Sequence, residues 1–204
     1  MTAIKKDNTE EKILAAARNV FIHKGMDGAR MQEIADEAGI NKALLHYYFR
    51  SKQKLFEAIF KSVFGKIMPN VMLMVNSDKP IEDKLGAFIE NYIDILTTNP
   101  FLPTFILKEI HRDPEFLAGM IKESGINPQQ IIAMFKQEMD NGTIRKMDPR
   151  DLIINIISLS VFPIAGKPLL SEMFFEKDKT NYDEFIQKRK VTIKEFILHS
   201  ILIK

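Results

Sequence analysis

The amino-acid sequence predicts an all-α protein. Apolar residues recur three and four positions apart along most of the chain, which is the spacing of residues on one face of an α-helix. No stretch alternates apolar and polar residues for long enough to indicate a β-sheet. Asn-Pro and Asp-Pro pairs mark helix starts, because Asn and Asp cap a helix N-terminus and proline at the first position loses no hydrogen bond. These pairs begin at Asn99, Asp113, Asn127 and Asp148.

The N-terminal third of the chain carries the signals of four helices. Glycine favours the end of a helix, so we expect Gly25 to end the first one. Proline removes a backbone donor, so we expect Pro69 to end or bend the fourth. The predicted helices cover 10–23, 31–38, 42–49 and a longer stretch that Ser51 caps.

Further helices are predicted beyond Pro69, which gives about nine or ten in all, without an internal repeat or a long linker. We place a domain boundary near 48–52 or along the helix that follows, because charge and helix length both change there. The later predicted helices cover 80–97, 101–112, 114–123, 128–140, 149–162 and 183–202.

Composition limits the class of protein. The chain has 204 residues, of which 46% are hydrophobic, enough for one large domain or two small ones. Residues 1–66 contain 12 Lys and Arg against 8 Asp and Glu, so the basic excess lies at the N-terminal end. The absence of cysteine excludes disulfides and thiolate metal sites. The N-terminus lacks a signal-peptide core and the apolar run 152–165 is too short to span a bilayer, so we expect a soluble cytoplasmic protein.

The sequence Gly39-Ile40-Asn41 predicts a tight turn between the two short helices. Glycine can adopt the left-handed conformation that ends one helix, and asparagine can cap the next. This is the pattern of a helix-turn-helix. Its predicted core comprises Ile34, Ala35, Ala38, Ile40, Leu45 and Phe49.

Four consecutive ring-bearing residues occupy 46–49, at the end of the second short helix. Helical spacing places Phe49 with Leu45 toward the core, whereas His46 and Tyr47 face outward. An amide, a lysine, an imidazole and a phenol on one face can donate hydrogen bonds to phosphate oxygens. A lone surface lysine or arginine is usually only solvated, so the combination is what favours nucleic acid.

An ordered set of residues over 12–59, KILAAARNVFIHKGMDGARMQEIADEAGINKALLHYYFRSKQKLFEAI, resembles the tetracycline-repressor (TetR) family of bacterial transcriptional regulators. The chain length and the helical remainder also suit that family. The residues that carry the resemblance are Ile13, Ala16, Phe21, Gly25, Ile34-Ala35, Ala38-Gly39-Ile40, Lys42, Leu45, Tyr48-Phe49, Ser51-Lys52 and Leu55.

The resemblance implies a three-helix helix-turn-helix DNA-binding domain over 1–52, which extends into a linking helix over 51–68. It implies a C-terminal helical bundle over 53–204 for effector binding and dimerisation. The helix 42–49 would be the recognition helix. The residues expected on DNA are Arg30, Asn41, Lys42, Ala43, Leu44, His46, Tyr47 and Lys52.

The sequence departs from the family pattern at three places. The family usually has Thr or Ser near Ala29 and Arg30, and a tyrosine where His46 stands. It has a Gly or Ala followed by a Thr-like residue where Ala43 and Leu44 stand. Leucine cannot donate a hydrogen bond, so Leu44 would contact a thymine methyl group or a sugar.

The C-terminal region is rich in Phe and Met. Ordinary core packing explains most such residues, but a bundle lined with Met and Phe can also open a cavity for a small apolar or amphipathic effector. Two segments, 148–165 and 181–203, carry more apolar surface than one core can cover and are candidates for a homodimer interface. The predicted effector-pocket residues are Phe105, His111, Met134, Asn155 and Phe162.

These expectations combine into a homodimeric, ligand-responsive transcriptional repressor that binds a palindromic operator in double-stranded DNA. The alternative is a helical ligand carrier or protein-interaction module that does not bind DNA. We expect no enzyme, because HExxH, GxxxxGK[ST], GxSxG and GxGxxG motifs are all absent. Four isolated histidines without cysteine predict no metal site, and neither a cofactor nor a membrane partner is expected.

Overall fold

The computed structural model describes residues 2–176 and 178–203, and the ends of the predicted domain ranges, 1 and 204, lie outside them. Within the described residues the chain forms α-helices and no β-strand, which confirms the predicted all-α fold. The helices are α1 (Thr2–Gly28), α2 (Met31–Glu37), α3 (Lys42–Tyr48), α4 (Lys52–Asn76), α5 (Ile81–Thr98), α6 (Leu102–Arg112), α7 (Pro114–Glu123), α8 (Pro128–Asp140), α9 (Pro149–Ala165), α10 (Lys167–Phe174) and α11 (Lys179–Ile201).

Several helix boundaries differ from the prediction. The helix α1 begins at Thr2 and not at 10. Gly25 does not end α1 but breaks it with a left-handed backbone (φ 69°), after which the helix resumes to Gly28. The helix α4 runs through Pro69, so the prediction that this proline could end the helix is wrong. Ile67 and Val71 on either side are buried, and that packing outweighs the missing hydrogen bond. The helix α10 was not predicted, and α11 begins earlier than expected.

The chain divides into two compact units. The first comprises the residues up to Gly65 together with Thr104–Ser124, and the second comprises Lys66–Pro103 and the residues from Gly125 onward. This division differs from the predicted boundary, because 104–124 group with the N-terminal residues rather than with the C-terminal bundle.

The first unit is built on the aromatic ring of Phe56, which is fully buried. The centroid of that ring lies 4.8 Å from the ring of Phe105 in a stacked arrangement, 5.9 Å from Phe116 and 6.1 Å from Phe21. The Lys108 ammonium donates a 2.7 Å hydrogen bond to the backbone oxygen of Ile22. Residues of α6 and α7 therefore complete the core around the N-terminal helices.

The second unit packs α5, α9 and α11 around one hydrophobic core, with α8 against α9. Leu85, Ile89 and Phe135 are fully buried there. The hydroxyl of the buried Tyr182 donates to the backbone oxygen of Pro163, which links α11 to α9. An isolated antiparallel bridge joins Ile144 to Leu202.

One described helix, α4, is long and apolar enough to cross a membrane by length and composition alone, and α9 with α10 passes the same test as a pair bent by 71°. Many apolar side chains of α4 are however core residues, although Leu73 is 67% exposed. Leu55, Phe56, Ile59 and Phe60 on this helix are each 0–1% exposed. A buried core helix passes such a test as readily as a membrane span does.

Candidate nucleic-acid interface

The turn between α2 and α3 has the geometry that the sequence predicts. Gly39 adopts a left-handed backbone with φ 66°. Its neighbour Ile40 donates a 3.0 Å backbone hydrogen bond to Ala35. The side-chain oxygen of Asn41 accepts a 2.7 Å hydrogen bond from the backbone N–H of Leu44 and so caps α3. Backbone and side chain together fix the angle between the two helices.

The inward face of this helix-turn-helix is buried. Ile34, Ala35 and Leu45 are each 0% exposed, and Phe49 is 7% exposed. Ala38 and Ile40 are half-buried. A core of this kind holds α3 rigidly on α2, since each buried side chain would have to be exposed for the helix to move.

The ring-bearing residues point in the predicted directions. The Tyr47 side chain is 72% exposed and His46 is exposed, whereas Tyr48 is half-buried and Phe49 is buried. The rings of Tyr47 and Tyr48 pack edge to face with their centroids 5.5 Å apart. The Nδ1 atom of His46 lies 3.3 Å from the backbone oxygen of Arg50. This contact links the ring of His46 to the connection between α3 and α4.

The remaining residues expected on DNA lie on the exposed side of α3 or before α2. Asn41, Lys42 and Ala43 are exposed, and Leu44 is 37% exposed. Arg30 is exposed at the start of α2. The exposed residues at the start of α3 and on it, without Arg30, make up what we call the α3 face. Its members are Asn41, Lys42, Ala43, Leu44, His46 and Tyr47.

The start of α2 is held by a charged side chain. The backbone N–H of Arg30 donates a 3.2 Å hydrogen bond to the Glu33 carboxylate, which also accepts a 2.8 Å bond from the Lys24 ammonium. The hydrogen bond from Lys24, followed by that from the Arg30 backbone, holds the pKa of the half-buried Glu33 below its ordinary value. Glu33 therefore neutralises Lys24, and the guanidinium of Arg30 stays at the surface.

Lys52 differs from the other predicted contacts. It is half-buried, and its ammonium donates hydrogen bonds of 3.1 Å to the backbone oxygens of both Asp27 and Ala29. Its charge is therefore already held by the protein.

One exposed cation beside the α3 face was not among the predicted contacts. Arg50 lies two residues after the end of α3. No described carboxylate forms an ion pair with it, as is also true of Lys42 and Arg30. The sequence contained a usable signal, since a basic residue directly after a recognition helix reaches the adjacent backbone of a bound duplex.

The five residues predicted to line an effector pocket do not share one environment. Phe105 stacks on Phe56 in the first unit, and Met134 is 7% exposed in the core of the second. His111 and Asn155 are exposed, and Phe162 is 60% exposed. These three are therefore surface residues rather than residues of a cavity inside the bundle, because their helices turn those positions away from the core.

A groove of about 130 Å³ lies between α4 and α5 and contains none of those five residues. Its walls include Leu73, Met74 and Phe88, and Lys79 and Lys84 are among its polar lining. This volume is smaller than that of typical ligand pockets. In the part of the chain that the structure describes, no three His, Asp or Glu side chains are placed to hold a metal ion.

Comparison with known proteins agrees with the geometry of the first unit. Residues 13–59 match the family model of bacterial regulatory proteins of the tetR family. Over 93 residues the chain is 37% identical to the HTH-type transcriptional repressor NicS of Pseudomonas putida. This stretch covers 44% of this chain and 44% of that protein. It is 29% identical over 93 residues to the HTH-type transcriptional activator FasR of Mycolicibacterium smegmatis, covering 46% of this chain and 42% of that protein. The chain thus spans less than half the length of these relatives.

Solved structures extend the similarity to most of the chain. An HlyIIR mutant with a segment replaced by a linker is 28% identical, with a TM-score of 0.66 over 81% of this chain and 90% of that chain. The transcriptional regulator FadR of Bacillus subtilis, solved in complex with stearoyl-CoA, is 16% identical and has a TM-score of 0.67 over 92% of this chain and 96% of that chain. At that identity the second comparison shows a shared fold.

Proposed function

We propose that this TetR-like chain is a DNA-binding transcriptional regulator that acts as a ligand-responsive repressor and binds a palindromic operator as a homodimer. The observation that carries the proposal is the α3 face, which is exposed and carries polar side chains, although α3 itself is fixed by buried residues such as Leu45. A seven-residue helix held in this way can enter the major groove of a duplex without reorganising.

The side chains of the α3 face divide into two groups by what they can contact. Lys42 carries a charge, Tyr47 a hydroxyl and His46 an imidazole, and all three suit phosphate oxygens. Ala43 and Leu44 are apolar and suit thymine methyl groups, while Asn41 can reach a base edge with the amide nitrogen that the cap does not use. Arg30, already predicted, and Arg50, which was not, are the proposed flanking phosphate contacts.

The proposal is tested by measuring binding to the DNA upstream of the protein's own gene. A gel-shift titration at several salt concentrations should show a site-specific complex whose affinity falls steeply with salt, because bound phosphates release counterions. Selection from random DNA should return a palindrome. A protein that bound no DNA specifically would instead be a helical ligand carrier or an interaction module.

The homodimer is supported by apolar side chains that stay exposed on three consecutive helices of the second unit. Ile154, Phe162 and Phe174 are 58%, 60% and 67% exposed, and exposed apolar surface is typical of a site that a partner covers. A two-fold dimer presents two recognition helices to successive major grooves, which lie about 34 Å apart. The proposed interface comprises Ile154, Ile157, Phe162, Leu169, Met173, Phe174, Val191 and Phe196.

The effector is proposed to be a small apolar or amphipathic molecule. The fold is shared with a FadR structure that holds stearoyl-CoA, which supports this class. For about 100-fold release of DNA, the effector has to prefer the non-binding conformation by about 2.7 kcal/mol. A thermal-shift screen of apolar acids, alcohols and acyl-CoA esters tests this, and an effector should raise the Tm while weakening operator binding. Operator binding also implies that the protein works in the bacterial cytoplasm.

A further inference from the structure

We propose that Arg112 of α6 is a positioning residue for DNA binding, which fixes residues 26–28 of α1 at the entrance to the helix-turn-helix. The carboxylate of Glu109 holds the Arg112 guanidinium in place for this task. The effect of Arg112 on DNA binding rests on the function proposed above, whereas its effect on the backbone at 26–28 does not.

Residues 26–28 need a partner outside α1. The left-handed backbone of Gly25 (φ 69°) separates them from the preceding part of that helix. A stretch of three residues is too short to be stable as a helix by itself. Ala29 and Arg30 follow at once and α2 begins at Met31, so the direction of 26–28 sets the start of α2.

The guanidinium of Arg112 contacts three helices at once. Its Nε donates a 2.7 Å hydrogen bond to the carboxylate of Glu109, one turn earlier on α6. Its Nη2 donates to the sulfur of Met26 at 3.5 Å, and its Nη1 lies 3.9 Å from the carboxylate of Asp27. The guanidinium carbon lies 5.9 Å from the centre of the Phe56 ring on α4. Arg112 therefore joins the short segment after the break in α1 to α6 and to the core.

The burial of Glu109 indicates what the ion pair is for. Glu109 is 3% exposed, and among the described residues Arg112 alone forms an ion pair with it. Burying a carboxylate costs free energy that its pairing with an arginine only offsets, and apolar replacements of such pairs are often neutral for stability. Stability alone therefore does not account for the pair. A fixed orientation of the guanidinium toward Met26 and Asp27 does.

Two variants separate positioning from stability. The double variant Glu109→Leu with Arg112→Met removes both charges and keeps apolar volume, so the first unit is expected to stay folded. Arg112→Lys keeps a charge opposite Glu109, but a compact ammonium has no planar fork to bridge that carboxylate and Met26. Lys108→Met is the matched control, since Lys108 is a cation of the same helix that binds the backbone oxygen of Ile22, before the break in α1.

The experiment measures operator affinity of the full chain by fluorescence anisotropy from about 50 to 300 mM salt, amide exchange without DNA, and urea denaturation. For the double variant and for Arg112→Lys we expect about tenfold weaker binding and faster amide exchange over 26–31. The salt slope should not change, because the guanidinium is paired within the protein. The urea midpoint of the double variant should stay near that of the wild type. For Lys108→Met we expect an affinity within about twofold of the wild type and unchanged exchange over 26–31.

Wild-type operator affinity and wild-type amide exchange in the double variant would overturn the proposal, because the ion pair would then serve the core alone. An equal loss of affinity for Lys108→Met and Arg112→Lys would overturn it too, since the loss of any α6 cation would then suffice. A salt slope that falls by about 2 per dimer in the double variant would instead make Arg112 a phosphate contact.

If the double variant does not fold, Arg112→Lys decides by the same measurements. If the wild type binds no DNA, the proposed function fails, and amide exchange over 26–31 still decides whether Arg112 positions this segment.

Discussion

At the scale of single residues, the segment from His46 to Phe49 shows how a helix distributes similar side chains. Successive residues turn by about 100°, so four adjacent rings occupy different environments. Spacing from Leu45 was enough to predict that Phe49 is buried and that Tyr47 is exposed. The partner of Lys52 was not predictable, because its bonds go to backbone oxygens more than twenty residues away, which leave no sequence signal.

The Tyr47 hydroxyl is expected to strengthen DNA binding without specifying sequence. Tyr47→Phe removes one neutral hydrogen bond at a site that is 72% exposed, so affinity should fall several-fold on all DNA sequences. The salt slope should not change, because no charge is lost. Tyr48→Phe is the control, since that ring is half-buried beside Tyr47. Anisotropy titrations on specific and random duplexes measure both, and an equal loss for Tyr48→Phe would remove Tyr47 from the interface.

At the scale of helices, capping explains why four helix starts, those of α3, α7, α8 and α9, were predicted to the residue. Asn41, Asp113, Asn127 and Asp148 each accept a hydrogen bond from the first turn of the helix that follows. These bonds are local, so the sequence reveals them. Whether α4 continues through Pro69 depends on packing against residues distant in sequence. The residues around Pro69 carry no information about that packing.

The cap of α3 is expected to support both stability and DNA binding. Asn41→Ala removes the 2.7 Å bond to the Leu44 N–H and should lower the free energy of unfolding by about 1 kcal/mol. Asn41→Asp keeps the cap oxygen and is the matched control for stability. Urea denaturation followed by circular dichroism measures the difference. Equal stability of the alanine and aspartate variants would show that the cap contributes nothing.

The cap of α9 is expected to make stability depend on pH under acidic conditions. Hydrogen bonds from the Arg150 side chain and backbone lower the pKa of Asp148 from 3.8 to about 2. Because the folded-state pKa is the lower one, the contribution of this carboxylate is complete above about pH 4. It is lost as the pH falls toward about 2.

This pH dependence is measured by comparing Tm values of the wild type and Asp148→Asn between pH 2 and pH 7. Asparagine keeps a cap oxygen but cannot ionise. The wild type should have the higher Tm at pH 7, and the difference should shrink below pH 4. A difference that is constant over the whole range would contradict this role of Asp148.

At the scale of the whole molecule, the all-α class followed from periodicity, but two features did not. The helix α10 has only eight residues and no side-chain cap, although Pro168 lies in its first turn, and it packs against α9. The grouping of 104–124 with the N-terminal helices rests on contacts such as Phe105 with Phe56. An ordinary apolar pattern gives no information about which of two cores a helix joins.

The exposed apolar residues of α9 are expected to hold two chains together. The double variant Ile154→Glu with Ile157→Glu places two charges per chain on positions that are 58% and 44% exposed in the monomer. It should be monomeric by light scattering and bind operator DNA at least 100-fold more weakly, because one recognition helix alone makes half the contacts. Leu73→Glu is the control, since Leu73 is 67% exposed on α4, outside the proposed interface. A dimeric double variant would refute the interface.

The composition of the first unit also bears on protein engineering. A hybrid regulator can be designed by cutting the linking helix and joining the DNA-binding head to a foreign sensor domain. A cut at Gly65 would here remove Phe105 and Phe116 from the ring of Phe56, and also the Lys108 bond to Ile22. A transplantable head of this protein is therefore discontinuous in sequence. A grafted sensor has to supply equivalents of 104–124, or the head will expose its own core.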